Sequence, residues 1–117
     1  MTAPMFNILQ DENDGVLHIR LAGRLDSLAA PELEERLRDA VVGHVRRFLM
    51  DLTGVDYVSS AGLRVFLAFA KLVRRAGGEL RFCGLQAEVK QVFDLTGFTN
   101  ILAIHPDPAA ARRDWTA

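Results

Sequence analysis

The sequence predicts an α/β domain in which a mixed, mostly parallel five-stranded sheet carries its helices mainly on one face. Strand-like and helix-like segments follow one another in the order β-β-α-β-α-β-α-β-α, and strands separated by helices run parallel with right-handed crossovers. Two strand segments alternate apolar and polar residues, whereas strands covered on both faces are nearly continuous apolar runs. A length of 117 residues suits one compact domain over residues 1–117.

The first two strands are predicted to form a hairpin. Phe6–Gln10 is a short strand, the polar segment 11–15 ends in glycine and suits a reversal, and residues 16–22 alternate between apolar and polar side chains. His18 falls on the polar side of the second strand, so we expect a surface histidine rather than a ligand or a pH switch. Residues 23–27 are predicted to be a loop.

The first helix is marked by Pro31, which is tolerated in a first helical turn, and by apolar residues at helical spacing over 33–41. It is expected to end near Gly43. Phe48–Leu52 is the predicted third strand, closed by residues 53–54.

The second half of the chain contributes the remaining elements. A second helix is predicted from about Ala61 to Ala76, where two glycines follow and favour termination. Leu80–Cys83 is the fourth strand, Gln86–Thr96 the third helix and Ile101–Ile104 the fifth strand. A short last helix is expected from about residue 107 toward 115.

Composition and motifs argue against several classes of protein. The net charge of -1 offers no global basic field for nucleic acid, and the single cysteine, Cys83, permits no internal disulfide and suggests a packing residue. We find no secretory signal and no apolar run of the ~20 residues that span a bilayer, which favours the cytoplasm. Phosphate-loop, nucleophile-elbow and HExxH motifs are absent, and the three histidines stand in no recognisable relation to a nucleophile. We therefore expect no catalytic residue, no cofactor and no metal.

Two serines stand where the chain enters the second helix. A serine at such a position commonly caps the helix, which is worth about 1 kcal/mol, but a cap needs one serine and the chain has Ser59 and Ser60. The first N–H groups of a helix lack intrahelical partners and carry partial positive charge, so an anion is well tolerated there. The site therefore suits a phosphate chemically.

The outer side of the second helix is the other candidate feature. Its basic residues gather opposite the apolar face: Arg64, Lys71, Arg74 and Arg75. Leu63 and Leu67 fall at the boundary or among them. This arrangement is either an ordinary solvated face or a docking patch of leucine anchors with a basic rim beside Ser60.

Three motifs carry a family resemblance: Leu21–Asp26 (LAGRLD), Asp51–Leu63 (DLTGVDYVSSAGL) and Phe93–Phe98 (FDLTGF). In these motifs, and from Val16 to about Ile104, the chain closely resembles the STAS-domain family, specifically the bacterial anti-sigma factor antagonists. The resemblance implies partner switching. The unphosphorylated form binds an anti-sigma factor that is also a serine kinase, phosphorylation releases it, and a phosphatase resets the cycle.

The resemblance also implies roles for individual residues. By position, Ser60 matches the phosphorylated serine, Asp26 an acidic loop residue near it, and Asp51 a polar position beside the same site. Ser59 stands where some members have aspartate, and this departure makes Ser59 an alternative, less favoured site of modification. The alternative for Asp26 is a loop residue that only bonds nearby backbone N–H groups.

The sequence thus predicts an anti-sigma factor antagonist. Its predicted partner surface consists of Asp26, Ser59, Ser60, Leu63, Arg64, Leu67 and Lys71. The alternative is a constitutive STAS interaction subunit of a lipid-transport complex or a larger signalling assembly, without a phosphorylation switch. We expect no direct contact with nucleic acid and no membrane insertion, and the oligomeric state stays open.

Overall fold

Five strands form one sheet in which each strand lies beside the next one in sequence. The computed structural model of the chain describes residues 6–115. The strands are β1 (Phe6–Asn13), β2 (Val16–Leu25), β3 (Arg47–Val58), β4 (Glu79–Cys83) and β5 (Ala103–His105). β1 is antiparallel to β2, and β2 to β5 are parallel. The predicted mixed, mostly parallel five-stranded sheet is confirmed.

The helices within residues 6–115 are α1 (Ala30–Val42), α2 (Ser60–Arg75), α3 (Ala87–Leu95) and α4 (Pro108–Ala111). A 3₁₀ turn at Phe98–Asn100 follows α3, so β5 begins at Ala103 rather than at the predicted Ile101. The predicted order of elements is otherwise confirmed, although α4 ends well before residue 115. In this part of the chain, no helix has the length and apolarity to cross a bilayer.

The β1–β2 hairpin turns at Asp14 and Gly15, whose φ angles are 55° and 79°. Positive φ at both central residues is the requirement of a tight two-residue hairpin turn, and an Asp-Gly pair tolerates it. The turn sets the register in which Asn13 faces Val16. β1 therefore runs on beyond the predicted end at Gln10.

β2 and β3 are both longer than predicted. The segment 23–27, predicted to be a loop, is strand up to Leu25, and residues 53–54 lie inside β3 instead of closing it. The reason is strand pairing, because Ala22 faces Gly54 across the parallel ladder. A Cβ on Gly54 would lie 2.9 Å from the Cβ of Ala22, so this glycine marks a close approach of two backbones rather than a turn.

The main core lies between one face of the sheet and helices α1, α2 and α3. Phe48, Met50 and Leu52 of β3 point into it and are fully buried. Phe66 of α2 meets Phe82 of β4 edge to face, with ring centroids 5.2 Å apart. The prediction that the helices lie mainly on one face is confirmed, with α4 as the exception.

The opposite face of the sheet is covered at one end by α4 and the residues that follow it. A second buried cluster lies there: Val16, Leu49, Cys83, Ala111 and Trp115. Cys83 is fully buried, as expected of a packing residue. Burial, together with the negative charges of Asp51 and Asp107, raises the pKa of the Cys83 thiol to about 12, so the thiol is neutral near pH 7.

His18 lies on this second face, and the prediction of a surface histidine is wrong. Its side chain is buried, and its Nε2 lies 2.9 Å from Oδ2 of Asp51. Burial pushes the pKa of Asp51 upward, but hydrogen bonds from the hydroxyl and amide of Thr53 and from His18 outweigh it and lower that pKa. Two polar side chains are thus buried as a hydrogen-bonded pair, as buried polar groups generally are.

Candidate functional site

Ser59 caps α2. Its backbone is extended, with φ -82° and ψ 170°, and its Oγ accepts a hydrogen bond from the amide of Gly62 at 3.2 Å. The Ser59 amide donates to the carbonyl of Leu25 at 2.8 Å, which joins the start of α2 to the end of β2. The hydroxyl of Ser59 therefore has a structural role in the half-buried interior of the turn.

Ser60 is the first residue of α2 and is exposed. Its hydroxyl makes no hydrogen bond to any residue in the range 6–115. It lies in the first turn of α2, where the helix dipole stabilises an anion. Of the two adjacent serines, one is occupied as a cap, and the other exposes a hydroxyl that forms no hydrogen bond with the part of the chain that the structure describes.

Asp26 is brought next to the two serines because it follows Leu25, the residue that binds the Ser59 amide. Its Oδ1 accepts hydrogen bonds from the amides of Leu28 at 3.1 Å and Ala29 at 3.0 Å. One carboxylate oxygen thus does what the alternative interpretation proposed, since it stabilises the loop that leads into α1. The predicted proximity of Asp26 to the serines agrees with the structure.

Asp51 is not beside this site, and the position that the resemblance implied for it is wrong. It lies in the middle of β3 and is bonded to His18 and Thr53 on the second face of the sheet. β3 continues from Asp51 to Val58 before α2 begins, which at about 3.3 Å per residue separates Asp51 from the serines by roughly 20 Å. The unexpected length of β3 is the cause.

The predicted leucine anchors of α2 are only partly available. Leu63 is 8% exposed and belongs to the main core, so its predicted role as a surface anchor is wrong. The first turn of α2 lies directly on β2, because a Cβ on Gly62 would be 2.7 Å from Cγ of Leu25. Because the helix lies so close to the sheet, the neighbouring Leu63 is buried in the core.

The remaining predicted residues form a continuous stripe on the outer surface of α2. Ser60, Arg64, Leu67 and Lys71 are spaced i, i+4, i+7 and i+11, which places them on one side of a helix. Arg64 and Lys71 are exposed, and Leu67 is half-buried. We call these four residues the α2 stripe.

Leu28 is an exposed apolar residue that sequence reasoning missed. It is 88% exposed in the loop that Asp26 holds beside the start of α2. At the same end of the sheet Tyr57 is 40% exposed, and the Arg24 guanidinium lies 4.2 Å from its ring centre. The available signal was a leucine between small residues just ahead of a helix, where no core periodicity requires one.

The site has no arrangement suited to metal binding. Over residues 6–115, no group of three or more histidine, cysteine, aspartate or glutamate side chains is placed to hold a metal ion. The buried His18 lies on the other face of the sheet and does not approach Ser60. What the site offers is a modifiable hydroxyl next to a basic and apolar surface, which suits recognition by another protein.

Known proteins of one family are similar to this chain. The family model described as the STAS domain matches residues 7–111. BtrV of Bordetella bronchiseptica is 40% identical over 104 residues, which cover 89% of this chain and 90% of BtrV. The anti-sigma-B factor antagonist of Bacillus subtilis strain 168 is 35% identical over 99 residues, which cover 84% of this chain and 87% of that protein.

The fold is also similar to that of a solved protein, the Bacillus cell fate determinant SpoIIAA. Its phosphorylated form has a TM-score of 0.72 at 17% identity, over 92% of this chain and 98% of that one. The unphosphorylated form of SpoIIAA, described as an anti-sigma factor antagonist, has the same TM-score at 15% identity, over 93% and 96% of the two chains. With a family model that matches most of its length and a relative at 40% identity, the chain belongs to the STAS domain family.

Proposed function

We propose that this protein is an anti-sigma factor antagonist that is switched by phosphorylation of Ser60. The observation that carries the proposal is the free, exposed hydroxyl of Ser60 at the N-terminus of α2, beside a serine that is occupied as the cap. The name of the B. subtilis relative and the existence of a phosphorylated form of SpoIIAA support it. The protein acts by binding, without catalysis, in the cytoplasm where sigma factors work.

In the proposed mechanism, the unphosphorylated form binds an anti-sigma factor and thereby releases the sigma factor. The anti-sigma factor is also the serine kinase, and a phosphatase returns the antagonist to its binding form. The contact surface includes Asp26, Ser59, Ser60 and the rest of the α2 stripe, with Leu28 as an added apolar contact.

Because the switch requires a large change in binding free energy, we expect Ser60 to lie inside the contact area. Shifting a complex from nearly full to nearly empty occupancy takes about 5.5 kcal/mol. Two unit charges 4 Å apart near a protein surface interact by about 4 kcal/mol, and by far less beyond a Debye length of roughly 8–10 Å. Charge repulsion at a distance would be insufficient, so the phosphate must also act through its bulk and through the cost of removing its water.

The two serines differ in their fitness as kinase substrates. Ser59 is half-buried, and its Oγ already accepts a hydrogen bond from the Gly62 amide. Ser60 is exposed, so its hydroxyl is more accessible to a kinase. We therefore expect Ser60 to be the modified residue and Ser59 to hold the turn in shape.

The chain offers a direct test because it contains three serines, Ser27, Ser59 and Ser60. The wild type and the three single Ser→Ala variants are incubated with the kinase that the wild type retains in a pull-down, and phosphate is located by mass spectrometry. We expect only Ser60→Ala to lose the modification. Normal phosphorylation of Ser60→Ala would refute the assignment.

The same pull-down tests the switch itself. Ser60→Ala should retain the partner, whereas Ser60→Asp should weaken binding only in part, since aspartate adds one charge where a phosphate adds about 1.5 to 2. If Ser60→Asp binds as tightly as the wild type and protein from cells carries no phosphate, the chain is instead a constitutive interaction subunit.

A further inference from the structure

A groove runs between α1 and α2 and starts next to the two serines. At one end it is lined by Ser27 and Ala61, and at the other by Arg38 and Arg75. From residue 61 to residue 75 the distance along α2 is about 21 Å at 1.5 Å per residue. We call this feature the α1–α2 groove.

The groove exists because α2 presents small residues where it faces α1. Ala61 and Ala68 line it two turns apart, and the buried side chains of Val65, Phe69 and Leu37 form an apolar floor. Larger side chains at the two alanines would fill the space between the helices. The shape therefore accommodates a third apolar element laid along the two helices.

The rim of the groove carries uncompensated positive charge. Arg64, Lys71 and Arg75 line it from α2 and are exposed, and none forms an ion pair with any residue between 6 and 115. The acidic side chain on the rim, Glu34, is already paired with Arg38 at 3.1 Å. α2 itself contains no acidic residue. An apolar floor with a basic rim is complementary to an apolar face bordered by acidic residues.

We propose that the α1–α2 groove receives an acidic amphipathic helix of the anti-sigma factor; the identity of that partner rests on the function proposed above. A helix of about 14 residues matches the length of the groove. Its apolar side chains occupy the floor beside Ala68, and its carboxylates meet Arg64, Lys71 and Arg75.

This occupant explains why a phosphate at Ser60 would release the partner. Ser60 and Arg64 are four residues apart on the α2 stripe, a spacing at which opposite charges on a helix attract. A phosphate there places about -1.5 to -2 charges at the mouth of the groove and engages one of its cations. The acidic helix then loses an attractive contact and gains a repulsive one at the same point.

The test reverses two positive charges on the rim of the groove and compares this variant with one in which two positive charges are reversed elsewhere on the surface. Lys71→Glu/Arg75→Glu alters the rim. Arg74→Glu/Arg113→Glu alters two exposed residues that do not line the groove and that, like the rim residues, form no ion pair with any residue between 6 and 115. The probe is a fluorescein-labelled helical peptide of about 14 residues with leucines on one face and glutamates on the other, followed by fluorescence anisotropy. A second peptide carries lysine in place of every glutamate.

We expect the acidic peptide to bind saturably, and the groove variant to weaken its binding by at least about tenfold while the control variant does not. Binding should also weaken as salt is raised. The proposal is overturned if neither peptide binds, if the two peptides bind alike, or if the groove variant keeps wild-type affinity. It is also overturned if vesicles containing phosphatidylglycerol bind to the groove and the acidic peptide does not.

The partner recovered by pull-down separates this proposal from the phosphorylation switch. Loss of the partner by Ser60→Asp, with full retention by the groove variant, would leave the switch standing and overturn the groove. Loss by the groove variant would support the groove; if Ser60→Asp also retains the partner fully and protein from cells carries no phosphate, the switch would be contradicted while the groove stands.

Discussion

At the scale of single residues, hydrogen bonding distinguishes two neighbours of the same type. Ser59 has an extended backbone, and its Oγ accepts a hydrogen bond from the amide of Gly62, whereas Ser60 is already helical and is exposed to solvent. Chemical identity is therefore a poor guide to function here. The difference lies in which serine the helix needs for its first turn.

The two serines should differ in their contribution to stability. We expect Ser59→Ala to lower the free energy of unfolding by about 1 kcal/mol, the value of a lost N-cap. Ser60→Ala should change it by less than about 0.5 kcal/mol, because an exposed residue without bonds is removed. Urea denaturation followed by circular dichroism measures both. Equal losses for the two variants would contradict the division of roles.

At the scale of elements, the placement of α2 depends on one glycine. Gly62 sits where the first turn crosses the ends of β2 and β3, and a Cβ there would lie 2.7 Å from Cγ of Leu25 and 3.1 Å from Cγ1 of Val58. The missing side chain lets the helix approach the sheet. The same close approach buries Leu63 and determines how far Ser60 lies from the sheet.

Substitution of this glycine should be destabilising despite a gain in helix propensity. Alanine is favoured over glycine inside a helix by about 1 kcal/mol, but overpacking typically costs about 1 to 3 kcal/mol. We expect Gly62→Ala to lose stability on balance and to weaken partner binding, since the helix must move outward. Gly43→Ala is the matched control, because the nearest atom to its added Cβ would be 3.7 Å away and its φ of -73° suits alanine. A Gly62→Ala protein as stable as that control would contradict the close approach.

At the scale of the whole molecule, the two faces of the sheet have different tasks. One face supports the three longer helices, and α2 presents the candidate site. The other buries Cys83 beneath the C-terminal segment, which is held by the Arg81 guanidinium 4.1 Å from the ring of Trp115. Arg81 also donates to the carbonyl of Ala111 at 2.7 Å, and the Trp115 indole N–H donates to Glu79 at 3.1 Å.

This arrangement makes Cys83 a reporter of the C-terminal segment. In the native wild type, burial and a pKa of about 12 should leave the thiol nearly unreactive toward DTNB. Trp115→Ala removes the side chain that closes the cluster and should raise the labelling rate by at least about tenfold, through easier local opening. Trp115→Phe keeps most of the packing and should stay closer to wild type. An unchanged rate in Trp115→Ala would show that this segment does not protect the second face.

Much of the fold could be predicted because its signals are local. The Asp-Gly turn, Pro31 in the first turn of α1 and the glycines after α2 each act through the conformations that their own residues allow. The two serines at the start of α2 belong with these, since capping is decided within one turn. The parallel direction of β2 to β5 also followed, because strands joined by helices run parallel.

The errors share another cause. Alternation in β2 shows that Val16 and His18 share a face, but the burial of that face depends on partners far away in the chain: Ala111 and Trp115 in the cluster with Val16, and Asp51 bonded to His18. Gly54 suggests the end of a strand when it is considered alone, but its pairing with Ala22 places it inside β3. β3 is therefore longer than predicted, and Asp51 lies far from the serines. The sequence by itself thus determined the elements, their order and the hydroxyl at the start of α2. The tertiary structure alone decided which polar residues are buried and where α2 sits, because burial and close approach depend on segments that are distant in the chain.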